Sequence, residues 1–259
     1  MILILGGTHE GREIAEKLNQ MDRDYILSVT TTLGYDLYRE TARQCVVQKF
    51  TEETLSSFIQ SEHIELIIDA THPHAAEIKK TASRCAAKNH IAYWRYARRV
   101  QSVAHPAVTS NTHFKTFEDI TAAITYLKET AADDARILVT GTKHIPAFLE
   151  AFSPNQCVFR IMPGMESMAA CIQNGVPTGN IIAVKAPCPA FLNRSFFKAY
   201  NIHYFVFKNS GAGSAFDANL ESLSESNVTG IIIEPETIIS AVVIENVSAL
   251  EAAMLQNHF

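Results

Sequence analysis

Apolar residues run unbroken through Ile2, Leu3, Ile4 and Leu5, give way to Gly6, Gly7 and Thr8, and resume with helical spacing at Ile14, Ala15 and Leu18. An unbroken apolar run suits a strand buried on both faces of a parallel sheet, and intervals of three and four place one apolar stripe along a helix. The alternation then repeats. Strands are predicted over 25–30, 45–48, 65–69 and 91–94, and helices over 52–61 and 73–88. Residues 95–113, with Arg95, Arg98, Arg99 and Pro106, break the period and read as a connector. Beyond them helices are predicted over 117–130, 146–152, 166–173, 191–200 and 249–256, and strands over 136–140, 157–161, 181–185, 203–207 and 230–234.

Strands alternating with helices imply right-handed crossovers and an α/β fold with mainly parallel sheets. Domains commonly hold about 100 to 200 residues, so 259 residues are read as two Rossmann-like lobes, 1–97 and 98–259, with a cleft between them. The 47% hydrophobic and 19% charged content supports buried cores in both. The net charge of -5 supplies no general field for nucleic acid or an anionic membrane, so any polyanion must meet a local cluster of cations. No apolar stretch approaches the roughly 18 residues of a membrane helix, and the chain opens on a strand and turn rather than a signal peptide. A cytoplasmic protein is expected, a monomer or small homo-oligomer, binding neither nucleic acid nor membrane. Five cysteines without CxxC spacing read as reduced thiols, and Cys188 would serve as a nucleophile only with a depressed pKa.

In open α/β sheets ligands gather beyond the carboxyl ends of the strands. Gly6 and Gly11 match the first and third glycines of a GxGxxG dinucleotide turn, with Thr8 in the middle place and Glu10 in the first helical turn. Such a turn offers backbone N–H groups and a helix dipole to a pyrophosphate; it can equally be a strand-to-helix turn that only satisfies backbone geometry. The Thr8 hydroxyl could cap the helix or meet a phosphate oxygen. After the second strand come Thr31, Thr32 and Gly34, with no acid to grip a ribose hydroxyl and with Arg39 and Arg43 near, which leans towards NADPH over NADH; a plain polar turn is the alternative.

The segment Asp69, Ala70, Thr71, His72, Pro73, His74 places Pro73 in a first helical turn with Thr71 or His72 as cap, and Asp69 ordering the turn. A two-apart histidine pair without further ligands argues against metal, and His72 or His74 reads instead as a hydrogen-bond donor. In the second half Gly141, Thr142, Lys143 and His144 form a small, hydroxylic and cationic turn before a helix, and Lys208, Asn209, Ser210 and Gly211 form another polar loop; both suit an anion. Arg160, near a strand end, could neutralise a carboxylate or form a surface ion pair.

In order, the stretches ILGGTHEGR (4–12), DATHPHA (69–75), TGTK (140–143), RIMP (160–163) and KNSG (208–211) resemble the precorrin-6A reductase family of cobalamin biosynthesis, including its cobalt-precorrin-6A branch. The resemblance spans nearly the whole chain. It implies a two-lobed enzyme that uses NADPH, or NADH, to reduce one double bond of a carboxylate-rich tetrapyrrole. It implies that Gly6, Gly7, Thr8, Glu10 and Arg12 hold cofactor phosphates and ribose, and that Asp69, Ala70, Thr71, His72 and Pro73 line the nicotinamide side. By the same resemblance Thr142, Lys143, Arg160, Lys208, Asn209 and Ser210 meet macrocycle carboxylates. Beside Ala186-Pro187-Cys188, where the family commonly has Gly-Pro-Phe, two departures stand out: Asn209 occupies a place where the family commonly has an acid, and Glu234-Pro235-Glu236 replaces an Arg-rich strand ending. For the proton that accompanies a hydride, His72 and His74 are the titratable candidates, with a bound water or a substrate nitrogen as alternatives. The rival readings are another NAD(P)-dependent reductase of a small substrate and a nucleotide-sensing module without catalysis. A short-chain reductase would need a Tyr-xxx-Lys pair on a helix, and the one tyrosine with a lysine four residues on, Tyr204 with Lys208, falls on the strand predicted over 203–207.

Overall fold

Each apolar run becomes a strand because its residues find a helix layer on either side. A computed structural model describes residues 1–96, 113–211, 214–236, 242–257 and 259, with the side chains of Leu33 and Leu37 outside the description. In chain order the elements are β1 (Ile2–Leu5), α1 (His9–Gln20), β2 (Tyr25–Val29), α2 (Thr32–Tyr38), β3 (Cys45–Val47), α3 (Glu52–Ser61), β4 (Leu66–Asp69), α4 (Ala76–Lys88) and β5 (Ala92–Tyr96). Then follow β6 (Phe114–Phe117), α5 (Ile120–Thr130), β7 (Arg136–Thr140), α6 (Ile145–Ala151), β8 (Cys157–Ile161), α7 (Met165–Gln173), β9 (Ile181–Ala183), α8 (Ala190–Ala199), β10 (Ile202–Lys208), α9 (Ala215–Glu221), β11 (Thr229–Ile233), β12 (Val242–Ile244) and α10 (Val247–Gln256). The connector centred on Arg98, Arg99 and Pro106 lies outside the described residues.

The chain forms two compact units, one of residues 1–99 with 237–259 and one of residues 100–236. Each holds a wholly parallel six-stranded sheet. In the first the strand order is β12-β5-β4-β1-β2-β3, and in the second β6-β11-β10-β7-β8-β9. Both orders wind outward from a central strand, β1 or β7, in two directions, and the sixth place is filled from the far side of the chain. β12 pairs beside β5, with Val243 opposite Arg95, and β6 pairs beside β11. This corrects the expected boundary, because residues 242–259 do not belong with the second lobe. The reason is burial: Leu250 and Met254 of α10 join Leu18 of α1 and Trp94 of β5 in one core on one face of the first sheet. On its other face α3 and α4 cover Leu3, Ile26 and Ile67. In the second unit α5, α6 and α7 cover Ile137, Val139 and Val206, and α8 and α9 cover Leu138, Phe205 and Phe207.

Four elements escaped the sequence pattern. α2 and α9 have only seven residues each, and β6 and β12 are sheet edges of four and three. The helix expected over 73–88 begins instead at Ala76, and Ala75 precedes it with no side-chain cap. Asp69 draws the chain into a turn first, so Pro73 is not in the first helical turn and neither Thr71 nor His72 caps it.

Leu250→Ala should lower stability by about 2 to 5 kcal/mol through the cavity it leaves. Because Leu250 packs in the first unit alone, hydrogen exchange should rise in β1, β4 and α10 and stay unchanged in β7 and β10.

Candidate functional site

In an open parallel sheet the two loops that leave the central strands turn to opposite faces, and the place where they part receives ligands. The first sheet has that place at the ends of β1 and β4. Gly6 donates its N–H to the Ser28 carbonyl at 2.8 Å, which holds the turn against β2. A Cβ on Gly6 would stand 3.2 Å from Leu27 and one on Gly11 3.1 Å from the Tyr38 hydroxyl, so a side chain at either position would press its neighbour back by a few tenths of an ångström. Gly7 differs. Its φ is +125°, and a Cβ there would meet nothing within 4 Å, so backbone and open space face each other as a phosphate cradle needs.

Thr8 does not cap α1; its hydroxyl donates to the Ala70 carbonyl at 2.7 Å and ties the glycine turn to the end of β4. The first-turn N–H groups of α1 therefore receive no side-chain cap from Thr8, an arrangement that suits an anion. Tyr38 of α2 closes the other side: its hydroxyl accepts from Gly7 N–H at 3.3 Å and donates to the Thr8 carbonyl. Burial raises the Tyr38 pKa, so the phenol stays protonated and can donate. Tyr38 was missed because its segment, 31–38, read as a polar turn. Thr31 in fact caps α2, accepting from Gly34 N–H at 3.0 Å, and Thr32 is the exposed first residue of that helix.

The charged residues expected nearby have partners of their own. Arg12 is exposed and pairs with Glu16 at 3.0 Å. Arg39 pairs with Asp36 at 3.6 Å, and Arg43 with Asp22 at 2.7 Å and Asp24 at 3.7 Å. Glu10 stands in the first turn of α1.

On the β4 side Asp69 is fully buried and orders the turn, as the sequence leads one to expect. One carboxylate oxygen accepts from Thr71 N–H at 2.9 Å and Thr71 Oγ1 at 2.6 Å; the other accepts from Lys79 Nζ at 2.9 Å and the Tyr93 hydroxyl at 2.6 Å. Burial, with Asp69 next in importance, raises the Tyr93 pKa and keeps its proton on the phenol. Lys79 went unremarked in the sequence although a signal existed: it lies three and seven residues before Ala82 and Ala86, on the apolar face of α4. Past Thr71, His74 N–H donates to His72 Nδ1 at 3.2 Å and the two rings stand 5.8 Å apart, with His72 exposed and Pro73 between them half-buried.

The second sheet has its parting place at the ends of β7 and β10, and there the chemistry changes sign. Gly141 has a φ of +83° and open space where a Cβ would lie, and its N–H donates to the Arg160 carbonyl at 2.8 Å. Thr142 and Lys143 follow, and Lys208 ends β10. Burial first, then the Lys143 charge, lowers the Lys208 pKa. Burial, then Lys208 and Lys143, pushes His144 down to about 4. Among the described residues no acid forms an ion pair with either lysine, so the cations repel one another across a place fit for an anion.

Asn209 is buried and acts as a clip. Its amide donates to Glu234 at 2.9 Å and its oxygen accepts from Gly211 N–H at 3.1 Å. The two departures noted in the sequence thus meet each other. Ser210 shares a 2.7 Å hydrogen bond with Ser214; residues 212 and 213 lie outside the described residues.

Arg160 requires correction. It is 7% exposed, turned into the second unit, where its guanidinium donates to Asn193 of α8 and Asn219 of α9 and lies over the Phe205 ring at 5.3 Å. It joins two helices to a strand rather than meeting a carboxylate at the surface. Its neighbour Cys188 is fully buried, and burial raises its thiol pKa despite Arg160, so it is no nucleophile. Among the described residues no helix is long and apolar enough to cross a membrane, and no cluster of three or more His, Cys, Asp or Glu could hold a metal ion.

Residues 1–255 match a family model described as Precorrin-6x reductase CbiJ/CobK. A cobalt-precorrin-6A reductase of Priestia megaterium is 30% identical over 240 residues, covering 90% of this chain and 89% of that protein. One of Methanocaldococcus jannaschii is 26% identical over 234 residues, covering 90% and 89%. A solved structure titled CobK precorrin-6A reductase superposes with a TM-score of 0.76 at 18% identity, covering 98% of this chain and 96% of that one.

Arg160→Met should destabilise the second unit by about 2 kcal/mol or more, since Asn193 and Asn219 lose a buried partner; denaturant titration reads this. The sign for His144 follows from its depressed pKa. Below about 6.5 the unfolded chain takes up a proton that the folded chain refuses until about 4, so unfolding free energy should fall as pH drops through that window. His144→Gln should flatten the slope.

Proposed function

The chain belongs to the precorrin-6x reductase family, and on that premise we propose that it is an oxidoreductase that transfers a hydride from NADPH to one double bond of cobalt-precorrin-6A in cobalamin biosynthesis. The observation that carries this reading is the turn of Gly6, Gly7 and Thr8 from β1 into α1, tied to the end of β4 through Ala70, with its left-handed glycine facing open space at the place where such sheets take nucleotides. The cobalt form is favoured by the names of the relatives from Priestia megaterium and Methanocaldococcus jannaschii.

A reduced nicotinamide, when bound, supplies the hydride. The chain's part is to bind, orient and protonate. Gly6 and Gly11 allow close approach, while Gly7, Thr8, Glu10 and Arg12 face the phosphates and ribose. Thr31 and Thr32, with no acid at the end of β2, accommodate a 2′-phosphate, which supports NADPH. Asp69, Ala70, Thr71, His72 and Pro73 form the nicotinamide side, and His72 or His74 holds the proton for the macrocycle. In the second unit Thr142, Lys143, Lys208, Ser210 and Gly211 receive acetate and propionate arms, Lys143 and Lys208 supplying charge-assisted hydrogen bonds. Asn209 positions that loop through Glu234 rather than touching substrate.

Anaerobic mixing of the protein with NADPH and cobalt-precorrin-6A should deplete the nicotinamide absorbance only when both are present; binding without oxidation would sink the assignment. Lys143→Ala and Lys208→Ala should each raise the macrocycle KM about tenfold or more, with a steep salt dependence, while NADPH affinity holds. Lys208 binds an anion only when protonated, and its pKa is lowered by burial and Lys143. Macrocycle binding should therefore fade with rising pH before an ordinary lysine would titrate, and Lys143→Ala should move that loss to higher pH.

A further inference from the structure

Lys79 has almost no contact with water: its side chain is 3% exposed and its partner Asp69 is 0% exposed. Burying two charges is costly, and apolar residues of similar size often serve stability as well or better. The rest of the buried face of α4 is indeed apolar, formed by Ala82, Cys85 and Ala86. Stability therefore does not account for a lysine here. Its hydrogen bonds do. The three N–H donors of the ammonium have three acceptors: Asp69 Oδ2 at 2.9 Å, Thr71 Oγ1 at 2.9 Å and the Thr71 carbonyl at 3.3 Å. Thr71 in turn donates both its N–H and its hydroxyl to Asp69 Oδ1, and Tyr93 fixes the other carboxylate oxygen. Thr71 is thus gripped through its amide, its carbonyl and its hydroxyl.

The next residue back, Ala70, accepts the Thr8 hydroxyl and donates its N–H to Leu5. The hydrogen bonds that hold Thr71 and the one from Thr8 to Ala70 are thus joined through the Ala70–Thr71 peptide, and the loop over 71–75 leaves from there. Arg95, opposite Asp69 in the β4 and β5 register, adds a second positive charge that acts on Lys79.

We propose that Lys79 is a positioning residue for the reductase reaction, holding Asp69 and Thr71, with Tyr93, so that the loop over 70–75 keeps a fixed place beside the glycine turn. The part concerning the reaction rests on the cofactor reading above; the part concerning the loop does not. The network holds Thr71 directly and meets the glycine turn only through Ala70 and Thr8, so on the cofactor reading above its loss affects hydride transfer more than affinity.

The test is the double variant Asp69→Asn with Lys79→Met, which removes both charges and leaves neither buried alone. It should recover most of the melting temperature lost in Lys79→Met. Single-turnover oxidation of NADPH by cobalt-precorrin-6A should still fall about tenfold, with the NADPH Kd changed less than about twofold. Amide exchange over 70–75 should quicken about tenfold while β1 and β2 keep their protection. A folded double variant with unchanged exchange and turnover overturns the proposal. Should the double variant not fold, Thr71→Val and Thr71→Ser decide: Val should reproduce the loss and Ser, which keeps the hydroxyl, should restore it, whereas equal behaviour overturns the role. If the unaltered protein oxidises no NADPH with this macrocycle, the reductase reading fails, and the exchange experiment still decides whether Lys79 holds the loop.

Discussion

A right-handed crossover between parallel strands sends the chain to one face of a sheet or the other according to the direction of winding. When a sheet is wound both ways from one strand, the loops after that strand and its first neighbour on the other side must part, and nothing in the backbone fills the space they leave. Both units obey this constraint, at β1 with β4 and at β7 with β10. Most of the candidate site residues lie in those loops because the winding opens the sheet there, whatever the side chains are.

The side chains then decide what the opening receives. In the first unit the turn presents backbone dipoles and hydroxyls: Gly7 opens to solvent, Thr8 is tied to Ala70, and Tyr38 closes over the turn. In the second unit Lys143 and Lys208 stand close enough to depress Lys208, with burial contributing most. One scaffold thus presents an open glycine turn in one unit and a pair of lysines in the other, by changing a few residues after equivalent strands. The Asn209 to Glu234 hydrogen bond keeps an extra carboxylate of this chain engaged beside the cations.

Much of this was legible in the sequence. Strands buried on both faces show as unbroken apolar runs, so the β1, β7 and β8 boundaries and the α/β class could be read directly. The glycine turns after β1 and β7 also stood out, because a left-handed backbone demands glycine locally. What could not be read is whatever depends on residues distant in the chain. The pairing of β12 with β5 spans the entire second unit, and three apolar residues at a sheet edge carry too little pattern to announce it. Arg160 was legible as a cation near a strand end, but the asparagines that hold it inside come 33 and 59 residues later. Asp69 suggested a turn through its near neighbour Thr71, while Tyr93, 24 residues on, gave no local sign.

The sixth strand of the first sheet has a meaning for how the protein is made. β12 and α10 leave the ribosome after every residue of the second unit, and they supply Ile244, Leu250 and Met254 to the core around Leu18 and Trp94. The second unit draws its own sixth strand, β6, from residues already synthesised. Although domains generally fold in order from the N-terminus during synthesis, here the first unit begins first and is completed last. The half-built first sheet must wait, with β5 as a bare edge, until the whole second unit has been translated.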